Sequence, residues 1–223
     1  MLSNKQMEIK MKATHKSVSS IHDAIAYGLV KFFRALADIY FGKRYANRAI
    51  MLETVAAVPG MVATWLLHLR CLRRIKNDNG WINQLYEEAE NEKMHLLVYI
   101  QIGKPSYFER FAIYLVQILF TPFYLLMYML SSRTAHRFVG YLEEEAVVSY
   151  NHYLEAIDNG QIVNTPAPKI AINYWKLNEN ATLRDVVIAT GIDECKHRDV
   201  NHQLSDNINA GNKILQNIYP ETK

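Results

Sequence analysis

Two cysteines, six prolines and nine glycines among 223 residues rule out several designs at once. Cys71 and Cys195 have no metal-ligand spacing and build no disulfide framework, so a reducing compartment is expected. Scarce glycine and proline, with half of the chain apolar, argue against a turn-rich β protein and for a mostly helical one. Charge of one sign is also lacking. The net charge is only +3 and the basic residues are scattered, which excludes a nucleic-acid footprint. Residues 1–20 hold four lysines and one glutamate, with no arginine and no apolar run. They make neither a secretory signal nor a good transit peptide. The expected layout is a mobile basic arm over 1–20, one globular domain over 21–206 and a peripheral tail over 207–223. On that reading the source is bacterial, or an organellar presequence is missing.

What the chain does have is Glu-x-x-His twice, at Glu92/His95 and Glu194/His197. Residues three apart on an α-helix lie on neighbouring turns of one face, so each pair can turn toward a single point. Two further segments carry a candidate partner. Glu53 is the lone acid in an apolar run from Ala49 to Leu69, where an unpaired carboxylate is costly. Ala56, Ala57 and Gly60 on its face leave room beside it, and Pro59 should bend or loosen the helix. In Leu142-Glu143-Glu144-Glu145-Ala146, Glu143 shares a face with Val139, Gly140, Val147 and Tyr150, while Glu144 and Glu145 point about 100° and 200° away. Glu87, Glu88 and Glu90 read as surface groups. Two Glu-x-x-His helices and two single-Glu helices are the ligand set of the ferritin-like di-iron carboxylate bundles. The fold class is therefore all-α: a ferritin-like four-helix bundle with a di-iron carboxylate centre, holding two iron ions.

Two more helices are expected outside the bundle. Ile25, Leu29, Phe32, Phe33, Leu36 and Tyr40 recur at helical spacing between basic residues, as in a helix lying in a membrane interface. Residues 111–130 form an uncharged run of 20, long enough to span a bilayer. A spanning segment there would put Glu92 and His95 on one side of the membrane and the next carboxylates on the other. The six ligands could not then meet, so this helix is expected to lie in one leaflet. Arg110, Arg133, His136 and Arg137 are placed to reach lipid head groups.

The motifs Leu-Glu-Thr-Val-Ala-Ala-Val-Pro-Gly-Met (52–61), Asn-Glu-Lys-Met-His-Leu (91–96), Leu-Glu-Glu-Glu-Ala (142–146) and Asp-Glu-Cys-Lys-His-Arg-Asp-Val-Asn-His (193–202) resemble the alternative oxidases over about Ile21 to Asp206. These are cyanide-insensitive, interfacial quinol oxidases. The resemblance implies iron ligation by Glu53, Glu92, His95, Glu143, Glu194 and His197. It implies a catalytic role for Tyr150 close to the irons, and ligand-orienting roles for Asn91, Asp193 and Trp175. It associates Arg48, Leu52, Leu142, Glu145 and Ala146 with a quinol pocket, where Ser149 replaces a common threonine. The implied reaction takes two ubiquinols and one O2 to two quinones and two waters without pumping protons. The implied setting is one leaflet of an inner membrane, bacterial or mitochondrial, with a homodimer and no nucleic-acid partner. The alternative is a di-iron monooxygenase or hydroxylase acting on a quinone or lipid.

Overall fold

The computed structural model describes Met11, residues 14–211 and residues 216–217. Its helices in chain order are α1 (Ile21–Phe41), α2 (Tyr45–Arg74), α3 (Trp81–Gly103), α4 (Tyr107–Leu130), α5 (Ser132–Asp158), a short α6 (Lys169–Trp175) and α7 (Leu183–Asn209). A two-residue strand after α2, β1 (Lys76–Asn77), pairs antiparallel with β2 (Gln216–Asn217), a contact nothing in the sequence pattern announced.

Local chemistry sets the helix ends. Ser106 and Glu109 form a reciprocal capping box at the start of α4: Ser106 N donates to Glu109 Oε2 at 2.8 Å, and Glu109 N donates to Ser106 Oγ at 3.3 Å. At α7, Asp185 accepts from both the backbone and the hydroxyl of Thr182, the expected N-cap. Gly42 ends α1 at φ 53°, which suits glycine.

The bundle consists of two closely packed pairs, α2 with α3 and α5 with α7. A glycine marks the close approach in each. A Cβ on Gly60 would sit 2.6 Å from the Leu85 carbonyl of α3, and one on Gly140 would sit 2.4 Å from the His202 ring of α7. Gly60 therefore serves helix packing rather than room beside Glu53. Between the pairs the backbones approach much less, leaving a seam to be filled by side chains.

Helices α1 and α4 lie across the outside. Phe33 of α1 meets Phe123 of α4 and Phe138 of α5, with ring centroids 5.6 and 6.2 Å apart. The outward faces are apolar: Phe32, Leu36 and Ile39 on α1, and Phe111, Leu115, Leu119 and Met129 on α4, are exposed. Both α2 and α4 are long and apolar enough to cross a membrane, but α2 is mostly buried in the bundle whereas α4 buries only Phe120 and Tyr124.

Three expectations change. His136 and Arg137 do not flank α4 as head-group contacts; both are fully buried, because α5 is enclosed on every side from Thr134 to Tyr141. Arg133 is half-buried and donates to Ser20 Oγ at 3.0 Å. Within the expected arm, the described residues are docked. Met11 is buried against Gly191 of α7, the Lys16 amide donates to Glu144 at 2.7 Å, and Lys16 Nζ donates to Asp206 at 2.6 Å. Residues 1–10, 12, 13, 212–215 and 218–223 of the expected arm and tail lie outside the described residues.

Candidate metal centre

At the seam Glu53 of α2, Glu92 and His95 of α3 and Glu194 of α7 offer ligand atoms that all lie within 4.8 Å of one another. His95 Nδ1 stands 3.1 Å from Glu194, 3.3 Å from Glu53 and 3.5 Å from Glu92. His197 joins through Nδ1, at 2.5 Å from Glu92 and 3.4 Å from Glu194. Glu143 is buried on the α5 side and close enough to feel the charges of Glu194 and Glu92. All six expected ligands thus converge, four in the tightest group and Glu143 and His197 at its border.

The cluster packs four buried carboxylates around two imidazoles. Burial first, then the charges of Glu194 and Glu92, push the Glu53 and Glu143 carboxyls well above the usual carboxylate range. Burial acts the same way on Glu92, but contacts with His197 and His95 prevail and bring it well below that range. Burial likewise opposes charging of His95, and Asp193 with the surrounding glutamates overrides it and raises the imidazole strongly. Despite the crowding, both oxygens of Glu92, both of Glu194 and Nδ1 of His197 lack a well-directed hydrogen bond, close as their neighbours are. Buried polar atoms without partners are rare, and buried charges require pairing. Carboxylate and imidazole donors converging on one point suit iron or manganese. The donor set fits two such ions.

Support for the ligands comes from behind. Asp193 Oδ2 faces His95 Nε2 at 3.5 Å, leaving Nδ1 turned to the carboxylates. The same oxygen accepts from Trp175 Nε1 at 2.8 Å and from Asn91 Nδ2 at 3.3 Å. All three residues expected to orient ligands therefore meet on one atom. Tyr150 donates its hydroxyl to Glu53 Oε1.

A cavity of roughly 560 Å³ leads from this centre to the apolar outer helices. Glu53, Glu143 and Glu194 form its inner end, and every residue assigned to the quinol pocket (Arg48, Leu52, Leu142, Glu145, Ala146 and Ser149) lines it. Near its mouth an ion chain runs from Lys31 to Glu145, from Glu145 to Arg34 at 3.0 Å, from Arg34 to Asp38 at 3.0 Å and on to Arg48. Arg34 also donates to Ser149 Oγ at 3.0 Å. Arg48 is buried, and its Nε and Nη2 lack partners.

Three side chains were misjudged or overlooked in the sequence. Glu88, expected at the surface, is buried and accepts from Asn201 Nδ2 at 2.7 Å; Asn201 in turn contacts His136 at 3.1 Å. Burial first, offset by His197 and Asn201, leaves the Glu88 carboxyl raised to about 7. The signal was present: Glu88 is four residues before Glu92 and Asn201 four after His197, each on a ligand's face. Arg34 and Lys31 were also missed, since only the fold brings α1 over Glu145.

A four-helix assembly with paired Glu-x-x-His and single glutamates at its centre defines a ferritin-like helical bundle of the di-iron type. The profile of the family described as "Alternative oxidase" matches residues 2–206. Relatives include "Ubiquinol oxidase, mitochondrial" of Batrachochytrium dendrobatidis, 56% identical over 87% of this chain and 61% of the relative. "Alternative oxidase 3, mitochondrial" of Glycine max is 52% identical over 91% of this chain and 62% of its own length. "Ubiquinol oxidase 1c, mitochondrial" of Arabidopsis thaliana is 51% identical over 91% and 61% respectively. This chain belongs to the alternative oxidase family. It spans about three-fifths of the length of these curated relatives.

Proposed function

We propose that the chain is a terminal oxidase that takes electrons from ubiquinol and reduces O2 to water at two iron ions held by Glu53, Glu92, His95, Glu143, Glu194 and His197. The observation that carries this reading is the continuity of the cavity, apolar at its outer end and closed by three of those carboxylates at its inner end. A long apolar substrate with a redox-active head fits that gradient. The names of the relatives cited above support ubiquinol in particular.

Bound iron supplies the one-electron steps and the binding of dioxygen. The chain's own residues do the rest. Arg48, with two donors free, offers hydrogen bonds to the oxygen of a quinol head group. Lys31 and Arg34 pair with the Glu145 carboxylate and hold it beside that head group. Tyr150, hydrogen-bonded to Glu53, stands ready to give a proton and an electron at the inner end. Asp193 fixes the His95 ring, and the apolar wall keeps water and stray oxidation away from the centre.

The apolar outer faces of α1 and α4 support a seat in one leaflet of an inner membrane, the compartment named for the relatives being mitochondrial. A bundle seated in that way pumps no protons. Exposed Met61, Trp65, Tyr86 and Leu97 on α2 and α3 support a homodimer. The decisive test is ubiquinol-dependent oxygen uptake, in cyanide, by membranes containing the protein. Uptake that disappears in Glu194→Ala is expected; its absence from iron-loaded wild-type protein would overturn the proposal.

A further inference from the structure

The side chains of the metal centre are not braced alike. Glu92 and Glu194 stand between the two imidazoles. Glu92 is 3.5 Å from His95 and 2.5 Å from His197, and Glu194 is 3.1 and 3.4 Å from them. The other four residues divide by side. On one side Glu53 accepts the Tyr150 hydroxyl, and His95 stacks on Trp175 at 5.6 Å with its Nε2 facing Asp193. Asp193 is itself fixed, by Trp175 and Asn91 on Oδ2 and by Lys196 on Oδ1 at 2.6 Å. His95 is fully enclosed.

The opposite side lacks these supports. Among the described residues, no hydrogen bond from outside the cluster reaches the side chain of Glu143 or of His197. Asn201, one turn beyond His197, donates to the His197 backbone carbonyl and to Glu88 rather than to the imidazole. The His197 ring is tilted by 33° from that of His95, and a tenth of its side chain is exposed. A side chain already held in place gives up little freedom when an ion arrives, whereas an unbraced one is ordered at that moment. Outer partners of this kind change metal affinity about tenfold to a hundredfold. The braced set, with the two shared glutamates, is also the one whose ligand atoms all lie within 4.8 Å.

We infer that the two metal positions are unequal. The position served by Glu53 and His95, with Glu92 and Glu194 shared, fills first and holds its ion more tightly. The position completed by Glu143 and His197 fills second. The inference rests on the di-iron reading proposed above. A chain short of iron then collects as a one-ion form with the His95 position filled. The first ion also neutralises part of the shared carboxylate charge, which weakens the second uptake whichever side fills first. The order of filling, rather than stepwise uptake, therefore separates unequal positions from equal ones.

The experiment titrates iron-free, full-length protein with ferrous ion in an anaerobic calorimeter. The wild type should take up two equivalents, the first about tenfold or more tighter than the second. His197→Ala should keep one equivalent at the wild-type first affinity, whereas His95→Ala should lose about tenfold or more of it. Asp193→Asn, which leaves all six residues of the centre in place, should weaken the first uptake and spare the second. Zinc, a redox-inert ion that takes the same donors, reports the order in the unaltered protein. By nuclear magnetic resonance of ring-labelled histidine, one equivalent should shift His95 before His197, the two rings being told apart by the effect of Asp193→Asn. Equal first affinities in the two histidine variants, or both rings shifting together at one equivalent, overturn the ranking and leave the two-ion centre standing. Uptake of one ferrous ion or none at saturation, by folded wild-type protein, overturns the di-iron reading itself.

Discussion

Two clusters of buried charge lie within the same bundle, and they are built on opposite rules. Around Arg137 every charge is answered. The guanidinium donates to Asp23 at 2.8 Å, to His202 at 2.9 Å and to Asp206, while His202 and His15 hold Glu144 at 2.9 and 2.7 Å. Burial would raise the Asp23 carboxyl, but Ser20, Ser19 and Arg137 bring it down to about 2. Around Glu92 and Glu194 the reverse holds: four carboxylates and two imidazoles converge, and five of their atoms lack a well-directed hydrogen bond. The first cluster is complete as protein and joins α1, α5 and α7. The second offers its unmet donor atoms to cations. Burial and charge are common to both; unmet hydrogen-bonding capacity is what separates a functional centre from a structural one.

The sharpest way to test that contrast is Arg137→Ala. Leaving Asp23 and Asp206 without their partner should cost about 3–5 kcal/mol of stability. Thermal unfolding should fall by roughly 10 °C, with iron per folded protein unchanged. Removing iron by chelation comes next. Loss of a tightly bound ligand should lower stability by about 3 kcal/mol, and readdition should restore it; an Arg137→Ala protein should still show that gain, which calorimetry would detect. Asp193→Asn acts on the support rather than the ligands. Iron affinity should drop about tenfold to a hundredfold, read from competition with a chelator, with little change in thermal unfolding of the iron-free protein.

The smallest effect belongs to Glu88→Gln. With a folded-state pKa of about 7 against an ordinary 4.5, Glu88 binds more protons in the folded than in the unfolded chain. Its contribution is therefore fully present below pH 4.5 and is lost as the pH rises through 7. The amide keeps the bond from Asn201 and avoids the buried charge. Glu88→Gln should gain on the wild type by on the order of 1–2 kcal/mol between pH 6 and pH 8, as denaturant titrations at both pH values would show.

The converging glutamates and histidines were legible in the sequence because Glu-x-x-His is a statement about one helix, and helical geometry fixes which side chains share a face. Glu143 was separable from Glu144 and Glu145 on the same ground. What periodicity does not report is which neighbour covers a face. Arg137 looked like a flank of the uncharged run, yet α5 is surrounded, and Asp23 from α1 and Asp206 from α7 close over it. Glu88 looked like one of several surface acids until α7 supplied Asn201. Glu145 and Arg34 are 111 positions apart, and no local pattern links them. The same holds for Gly60, read as leaving room when the Leu85 backbone takes the space.

The cavity has its mouth among Leu36, Tyr40, Leu119 and Phe123, residues of the two outer helices with apolar outward faces. With those faces seated in a leaflet, the substrate passes from lipid into protein without meeting bulk water. On the proposed oxidase reading, the variable that sets its supply is then the mole fraction of quinol in the lipid, not its amount per volume of buffer. Diluting the same quinol into more lipid should then slow oxygen uptake even though nothing in the aqueous phase has changed, so the width of the membrane pool would itself throttle the proposed activity.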